Sequence, residues 1–113
     1  MSSFLKIGML TLLASFCGCS RNPGGRSDAE VHGRALFILN CSPCHEDSNP
    51  QLKVQPPRLN GIFAGKRLPS GAPATEDQVK RTIIEGRGIM PAFDQRLTSE
   101  DVKDIVKYLH TLE

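Results

Sequence analysis

Positions 41–45 read Cys-Ser-Pro-Cys-His, which puts two thiols and an imidazole within little more than one turn of chain. Three chemistries use a C-x-x-C pair. A thioredoxin-like redox disulfide needs a surrounding βαβ pattern, and the sequence has none. A zinc site needs further ligands at suitable spacing, but His32 and His110 are isolated and no second C-x-x-C is present. The histidine directly after the second cysteine points to the third chemistry, because C-x-x-C-H is the attachment sequence for c-type haem. Cys41 and Cys44 would add across the two porphyrin vinyl groups, and His45 would turn under the iron. A structural disulfide between the two thiols is the remaining alternative.

An iron held by His45 has a second axial position. The stretch EGRGIMPAF, residues 85–93, sets Met90 between a glycine-rich turn and a proline, where neither helix nor strand continues. Gly86 and Gly88 permit a sharp approach, and Pro91 stiffens the exit. Met1 and Met9 lie in a leader that is expected to be removed, so Met90 is the only thioether of the mature chain. It is the expected sixth ligand. The alternative is a loop methionine that fills the core under the last helix.

The leader is the apolar run Ile7–Phe16 behind Lys6, too short to span a bilayer and suited to a signal-peptide core. Gly18 then precedes Cys19, as at a lipoprotein cleavage site, although Phe16 stands where leucine is usual. The expected organisation is a signal peptide over 1–18, a lipid-anchored flexible linker over 19–26 and one domain over 27–113. The alternatives are ordinary signal cleavage near the same point and a buried N-terminal helix. The linker contains Pro23, Gly24 and Gly25 and reaches roughly 15 Å. Cys19 would therefore hold the domain close to the membrane.

Three helices are expected to position these groups. Ser27 and Glu30 form a capping-box pattern for the first, with Val31, Ala35, Ile38 and Leu39 as one apolar face. Thr75 and Gln78 open the second, with Val79, Ile83 and Ile84 inward and Gly86 as its stop. The third starts at Thr98 or Ser99 and carries Val102, Ile105, Val106, Leu109 and Leu112 at helical spacing. The Pro/Gly-rich segment between the first two leaves room for at most a short helix near Asn60–Phe63, and no run alternates long enough for a strand. Without a cofactor to wrap, such a loop would count against a compact domain. The class is all-α.

In this order, the motifs closely resemble a class I cytochrome c over about residues 28–113. CSPCH matches the haem attachment motif and GIMPAF the distal Met-Pro loop. GRALF resembles the family's first helix, where the resemblance implies that Gly33 and Phe37 meet the last helix at Ile105 and Tyr108 of IVKYL. PPRLNGIF resembles a segment in which Pro57 would offer its carbonyl to the free ring nitrogen of His45. The stretch from Arg67 to Met90 lacks the Trp and Tyr that longer relatives direct toward the haem propionates; Lys66 and Arg67 are the cations available there. His32 and His110 match no motif and are expected on the surface.

The resemblance implies a non-enzymatic one-electron carrier with a single covalent haem c and His45/Met90 ligation. Its setting would be an exported respiratory or photosynthetic chain, on the periplasmic side of a bacterial membrane. Its partners would be redox proteins, donor and acceptor, with the membrane reached through the lipid and the protein a monomer unless part of a complex. The alternative is a haem c subunit or electron-entry module fixed to a membrane oxidase or dehydrogenase. The formal charge of +2, without a dense Lys/Arg block or stacking aromatics, argues against nucleic acid. Lys80, Arg81, Arg87 and Arg96 flank the Met90 segment and are candidates for steering an acidic partner.

Overall fold

The computed structural model describes residues 25–46 and 49–112. The expected signal peptide, Cys19 and the linker up to Gly24 lie outside the described residues. Four helices follow in order: α1 (Asp28–Asn40), α2 (Ser42–His45), α3 (Glu76–Glu85) and α4 (Ser99–Leu109). Among the described residues there is no strand, only the isolated bridges Arg67–Pro73 and Arg87–Met90. The three long helices are those the sequence predicts, and α2 is an additional single turn carrying the CSPCH segment. Around Asn60–Phe63 the chain forms turns, with Ile62 N–H donating to the Leu59 carbonyl at 3.2 Å and Ala64 N–H to the Gly61 carbonyl at 3.0 Å.

Each long helix is started by a side-chain cap. Ser27 Oγ accepts from the Glu30 N–H at 3.3 Å while Glu30 Oε2 accepts from the Ser27 N–H at 2.9 Å, closing the box. Thr98 and Asp101 do the same for α4, at 3.1 Å and 2.8 Å. Hydrogen bonds from the Thr98 backbone and hydroxyl hold the Asp101 carboxyl below its usual range. This cap is therefore intact at neutral pH and opens only as acid protonates Asp101. At α3 only one half of the box forms, Thr75 Oγ1 accepting from the Gln78 N–H at 3.3 Å. Each cap stabilises its helix by about 1 kcal/mol.

The main helix packing is α1 against α4. Gly33 and Phe37 are the buried residues of α1, and Val102, Ile105, Val106, Tyr108 and Leu109 are the buried apolar residues of α4. The Phe37 and Tyr108 rings lie 5.2 Å apart at 59°, a tilted pair worth about 1 kcal/mol beyond its buried area. The apolar face formed by Val31, Ala35, Ile38 and Leu39 is not the packed one: all four are exposed. The helix buries a glycine and a phenylalanine because α4 approaches too closely for a row of branched side chains. On α3 Val79 and Ile83 are buried, but Ile84 is turned out to solvent. Leu68, Phe93 and Cys41 complete the core, with Leu59, Ile62, Met90 and Leu112 packed against it.

His32 and His110 are both exposed, and both also make tertiary contacts. His32 Nδ1–H donates to Asp104 Oδ2 at 3.0 Å, joining α1 to α4. The His110 ring stacks on Phe63, centroids 4.1 Å apart, and its Nε2–H donates to Glu76 Oε1 at 3.0 Å.

A Cβ built on Gly33 would lie 1.9 Å from the Asp104 carbonyl oxygen. Backbone cannot yield as a flexible side chain can, so Gly33→Ala must push the helices apart. The expected loss is about 3 kcal/mol, read as a lowered denaturant midpoint of the purified protein. An unchanged midpoint would show that the crossing is not tightly packed.

Candidate functional site

Cys41 ends α1. Its N–H donates to the Phe37 carbonyl at 2.8 Å, and its own carbonyl accepts from Cys44 at 3.1 Å and His45 at 2.9 Å. The chain thus turns directly from α1 into α2. Pro43, in the first turn of α2, suits a position whose N–H needs no helical partner. Cys41 is buried and Cys44 is exposed, both as free thiols. Burial, and then the neighbouring Cys44, push the Cys41 thiol up to about 11, so it is a protonated sulfhydryl at neutral pH.

His45 is half-buried, and its Nδ1 lies 2.7 Å from the carbonyl oxygen of Pro57. A carbonyl only accepts, so Nδ1 must carry the proton. The lone pair is then on Nε2, at the far side of the ring, in the form that binds a metal. One hydrogen bond from a long loop therefore fixes both the tautomer and the direction of the imidazole.

The loop after α3 holds Met90. Gly86 and Gly88 have positive φ, 74° and 56°. The turn closes through Arg87 N–H donating to the Met90 carbonyl at 3.0 Å and Met90 N–H to the Arg87 carbonyl at 2.9 Å. Phe93 N–H donates to the Ile83 carbonyl at 3.1 Å and ties the exit of the loop back to α3. Met90 is half-buried against the core.

These residues fit haem chemistry. Two unpaired thiols sit on one turn, one from the core and one from solvent. An imidazole is held with its lone pair free, and a thioether is held on a short closed loop. Among the described residues no cluster of His, Cys, Asp and Glu offers a competing metal site. Arg58 and Arg67 line a cleft of about 300 Å³ together with Asn60, Ile62 and Leu68, whereas Lys66 is not part of that lining. Arg67 is already committed in part, its Nη1 donating to the Gly71 carbonyl at 2.7 Å. Arg58 carries no signal in the sequence beyond its place in PPRLNGIF.

A helical domain built around such a turn is a small c-type cytochrome, a haem c electron carrier. The chain belongs to the cytochrome c family: residues 28–109 match the family described as cytochrome c oxidase, cbb3-type, subunit III. It is 30% identical over 104 residues to a cytochrome c6 of Picosynechococcus sp., covering 88% of this chain and 86% of that one. It is 32% identical over 101 residues to a cytochrome bc1 complex cytochrome c subunit of Mycobacterium leprae, covering 82% of this chain and 32% of that one. A cytochrome c6 of Gracilaria tenuistipitata is 29% identical over 82 residues, 68% of this chain and 67% of that one. The chain thus spans most of the cytochrome c6 relatives and about a third of the bc1 subunit. No helix among the described residues is long and apolar enough to cross a membrane.

A Cβ on Gly86 would meet Ala92 N and Met90 O, both at 2.7 Å, at a φ that L-residues rarely adopt. Gly86→Ala should therefore displace the Met90 loop while leaving α1 and α2 in place. If Met90 is the iron's sixth ligand, as the sequence leads one to expect, the outcome is weakened or lost sulfur-to-iron absorption in the oxidised protein with haem content unchanged. Unaltered absorption would show that the loop geometry does not govern Met90.

Proposed function

We propose that Cys41 and Cys44 hold one haem c through thioethers, that His45 and Met90 are its axial ligands, and that the protein shuttles single electrons outside the cytoplasm. The observation that carries this reading is the 2.7 Å hydrogen bond from His45 Nδ1–H to the Pro57 carbonyl. It leaves Nε2 as a ready ligand on the residue adjoining the two thiols. The haem supplies the redox chemistry, and the protein's part is to hold it. Two protein ligands leave no open position on the iron, which argues against catalysis there and favours an electron carrier. The guanidinium groups of Arg58 and Arg67 are suited to carboxylates such as those of the haem.

The domain is proposed to span 27–113, behind a linker over 19–26 that is lipid-anchored through Cys19 after removal of 1–18. That arrangement puts the protein on the periplasmic side of a bacterial membrane. The bc1 subunit relatives support a second reading, a haem subunit or electron-entry module fixed in a respiratory complex. Purification of Cys19→Ser separates the two. A shuttle leaves the membrane as a red monomer, and a subunit remains with its enzyme.

Of the four cations near the Met90 segment, Lys80 pairs with Glu76 at 3.1 Å and Asp77 at 3.8 Å, and Arg96 lies 5.6 Å over the Phe93 ring. Among the described residues, Arg81 and Arg87 form no ion pair. These two are the proposed steering charges for an acidic partner. Replacing both with glutamine should flatten the ionic-strength dependence of the electron-transfer rate. A salt dependence that the double variant leaves intact would remove the steering role.

Met90→Ala should keep its haem through denaturing electrophoresis, because attachment depends on the cysteines. Its midpoint potential should fall, since the thioether favours ferrous iron. It should also bind carbon monoxide, which the parent should exclude. If the parent binds carbon monoxide at neutral pH, or the variant keeps its potential, Met90 is a packing residue. Loss of haem from the denatured parent would overturn the attachment itself.

A further inference from the structure

The helix α1 has a second apolar face. Val31, Ala35, Ile38 and Leu39 recur at i, i+4, i+7 and i+8, which places them on one stripe. All four are exposed, Val31 at 56%, Ile38 at 45% and Leu39 at 74%. Single exposed apolar residues are ordinary, but a continuous stripe on one helix marks a surface that meets something. The haem is not that occupant. Gly33, Phe37 and Cys41 succeed one another at i+4 intervals, so the first thioether leaves α1 from the buried side, away from the stripe.

The occupant follows from what precedes the helix. The α1 helix is the first described element after the proposed tether, and only seven residues, 20–26, separate Cys19 from Ser27. A chain of that length and composition reaches roughly 15 Å, and α1 adds about 20 Å. The whole stripe therefore stays within reach of the bilayer that would hold Cys19. Arg34 stands three residues after Val31 and four before Ile38, and Arg26 precedes the helix; both are exposed. Cations in this position attract anionic headgroups by about 1 kcal/mol each. Asp28, in the first turn on the same side, is repelled by them, so contact begins beyond that turn.

We propose that α1 lies along the membrane surface, with the Val31–Ala35–Ile38–Leu39 stripe seated at the boundary between headgroups and acyl chains. The proposal rests on the lipid-anchor reading of Cys19. A stripe this small binds lipid weakly on its own. The tether makes the contact intramolecular and so raises its effective concentration. The anchor would then set the distance of the domain from the membrane and α1 would set its orientation. The face of α1 that packs on α4 would point away from the lipid.

The test uses the full acylated protein in phosphatidylglycerol/phosphatidylethanolamine vesicles that carry a photoactivatable diazirine lipid. Adducts are mapped by mass spectrometry. The expected result is labelling concentrated between residues 31 and 39. In a Val31→Lys/Leu39→Lys variant this labelling should fall about tenfold, since interfacial binding scales with buried apolar area. Co-sedimentation with vesicles should persist through the lipid, and an unchanged haem spectrum would show that the fold is intact. Vesicle-bound protein without adducts on α1 overturns the proposal while leaving the anchor in place. The stripe would then belong to a protein partner, or to a second copy if the protein sediments as a dimer. Protein that stays in the supernatant with an unacylated terminus overturns the anchor reading and this proposal with it.

Discussion

The absence of a side chain at Gly33 is the constraint from which the rest of the domain follows. The Asp104 carbonyl of α4 occupies the space a Cβ would take, so the two helix backbones touch at that point. Contact there sets Phe37 against Tyr108 one turn later and brings Cys41 into the core at the end of the same row. The position of the first thiol is thus fixed by a glycine two turns upstream. Asp104 contributes twice, because its nearly buried carboxylate also receives His32 Nδ1–H at 3.0 Å and lies 3.5 Å from Lys107 Nζ. A buried carboxylate with partners on both sides is tolerable, whereas removing one partner would leave charge poorly compensated. The crossing is therefore locked by a steric fit at its centre and by polar contacts at its edge.

Much of this was readable from residue types because the relevant signals are local. Ser27 with Glu30 and Thr75 with Gln78 announce helix starts through bonds that span three residues. The C-x-x-C-H spacing carries its chemistry within five positions, and α4 displays its buried side as a plain 3.6-residue rhythm. The packed face of α1 is hidden from periodicity for an equally physical reason. Periodicity weights branched aliphatics, and α1 has four of its apolar residues on the wrong side. The interface side holds a glycine, which no hydropathy pattern scores, and one aromatic ring. Only the likeness of GRALF to a known helix pointed to the correct face.

Beyond the His45–Pro57 contact, which the likeness of PPRLNGIF to a known segment implies, the long Pro/Gly-rich segment shows where sequence reading stops. Its ordering comes from contacts made at great separation along the chain. His45 reaches Pro57, Gly61 N–H donates to the Leu112 carbonyl at 2.8 Å, and the His110 ring covers Phe63. His110 also binds Glu76, whose carboxyl is held below its ordinary range by Lys80 first and then by His110. One side chain thus joins the loop, the end of α4 and the start of α3. No local pattern could reveal this, since each partner is an unremarkable residue in its own neighbourhood.

The two proposed ligands share a design that suits electron transfer. Neither is carried in the middle of a long helix. His45 ends a single turn and is oriented by a loop carbonyl; Met90 sits in a turn closed by two hydrogen bonds with Arg87 and tied to α3 through Phe93. Loops normally carry higher mobility than the elements they join. Here each is pinned at both sides of the ligating residue, so the side chain inherits the rigidity of the helices without having to lie on one. A metal centre that changes charge but not coordination needs that property, because motion of a ligand on oxidation would add to the barrier for each electron passed. The glycines of EGRGIMPAF and Pro57 of PPRLNGIF are the sequence form of that requirement. They give the backbone sharp, fixed paths, and those paths are braced by the α1–α4 crossing that Gly33 permits.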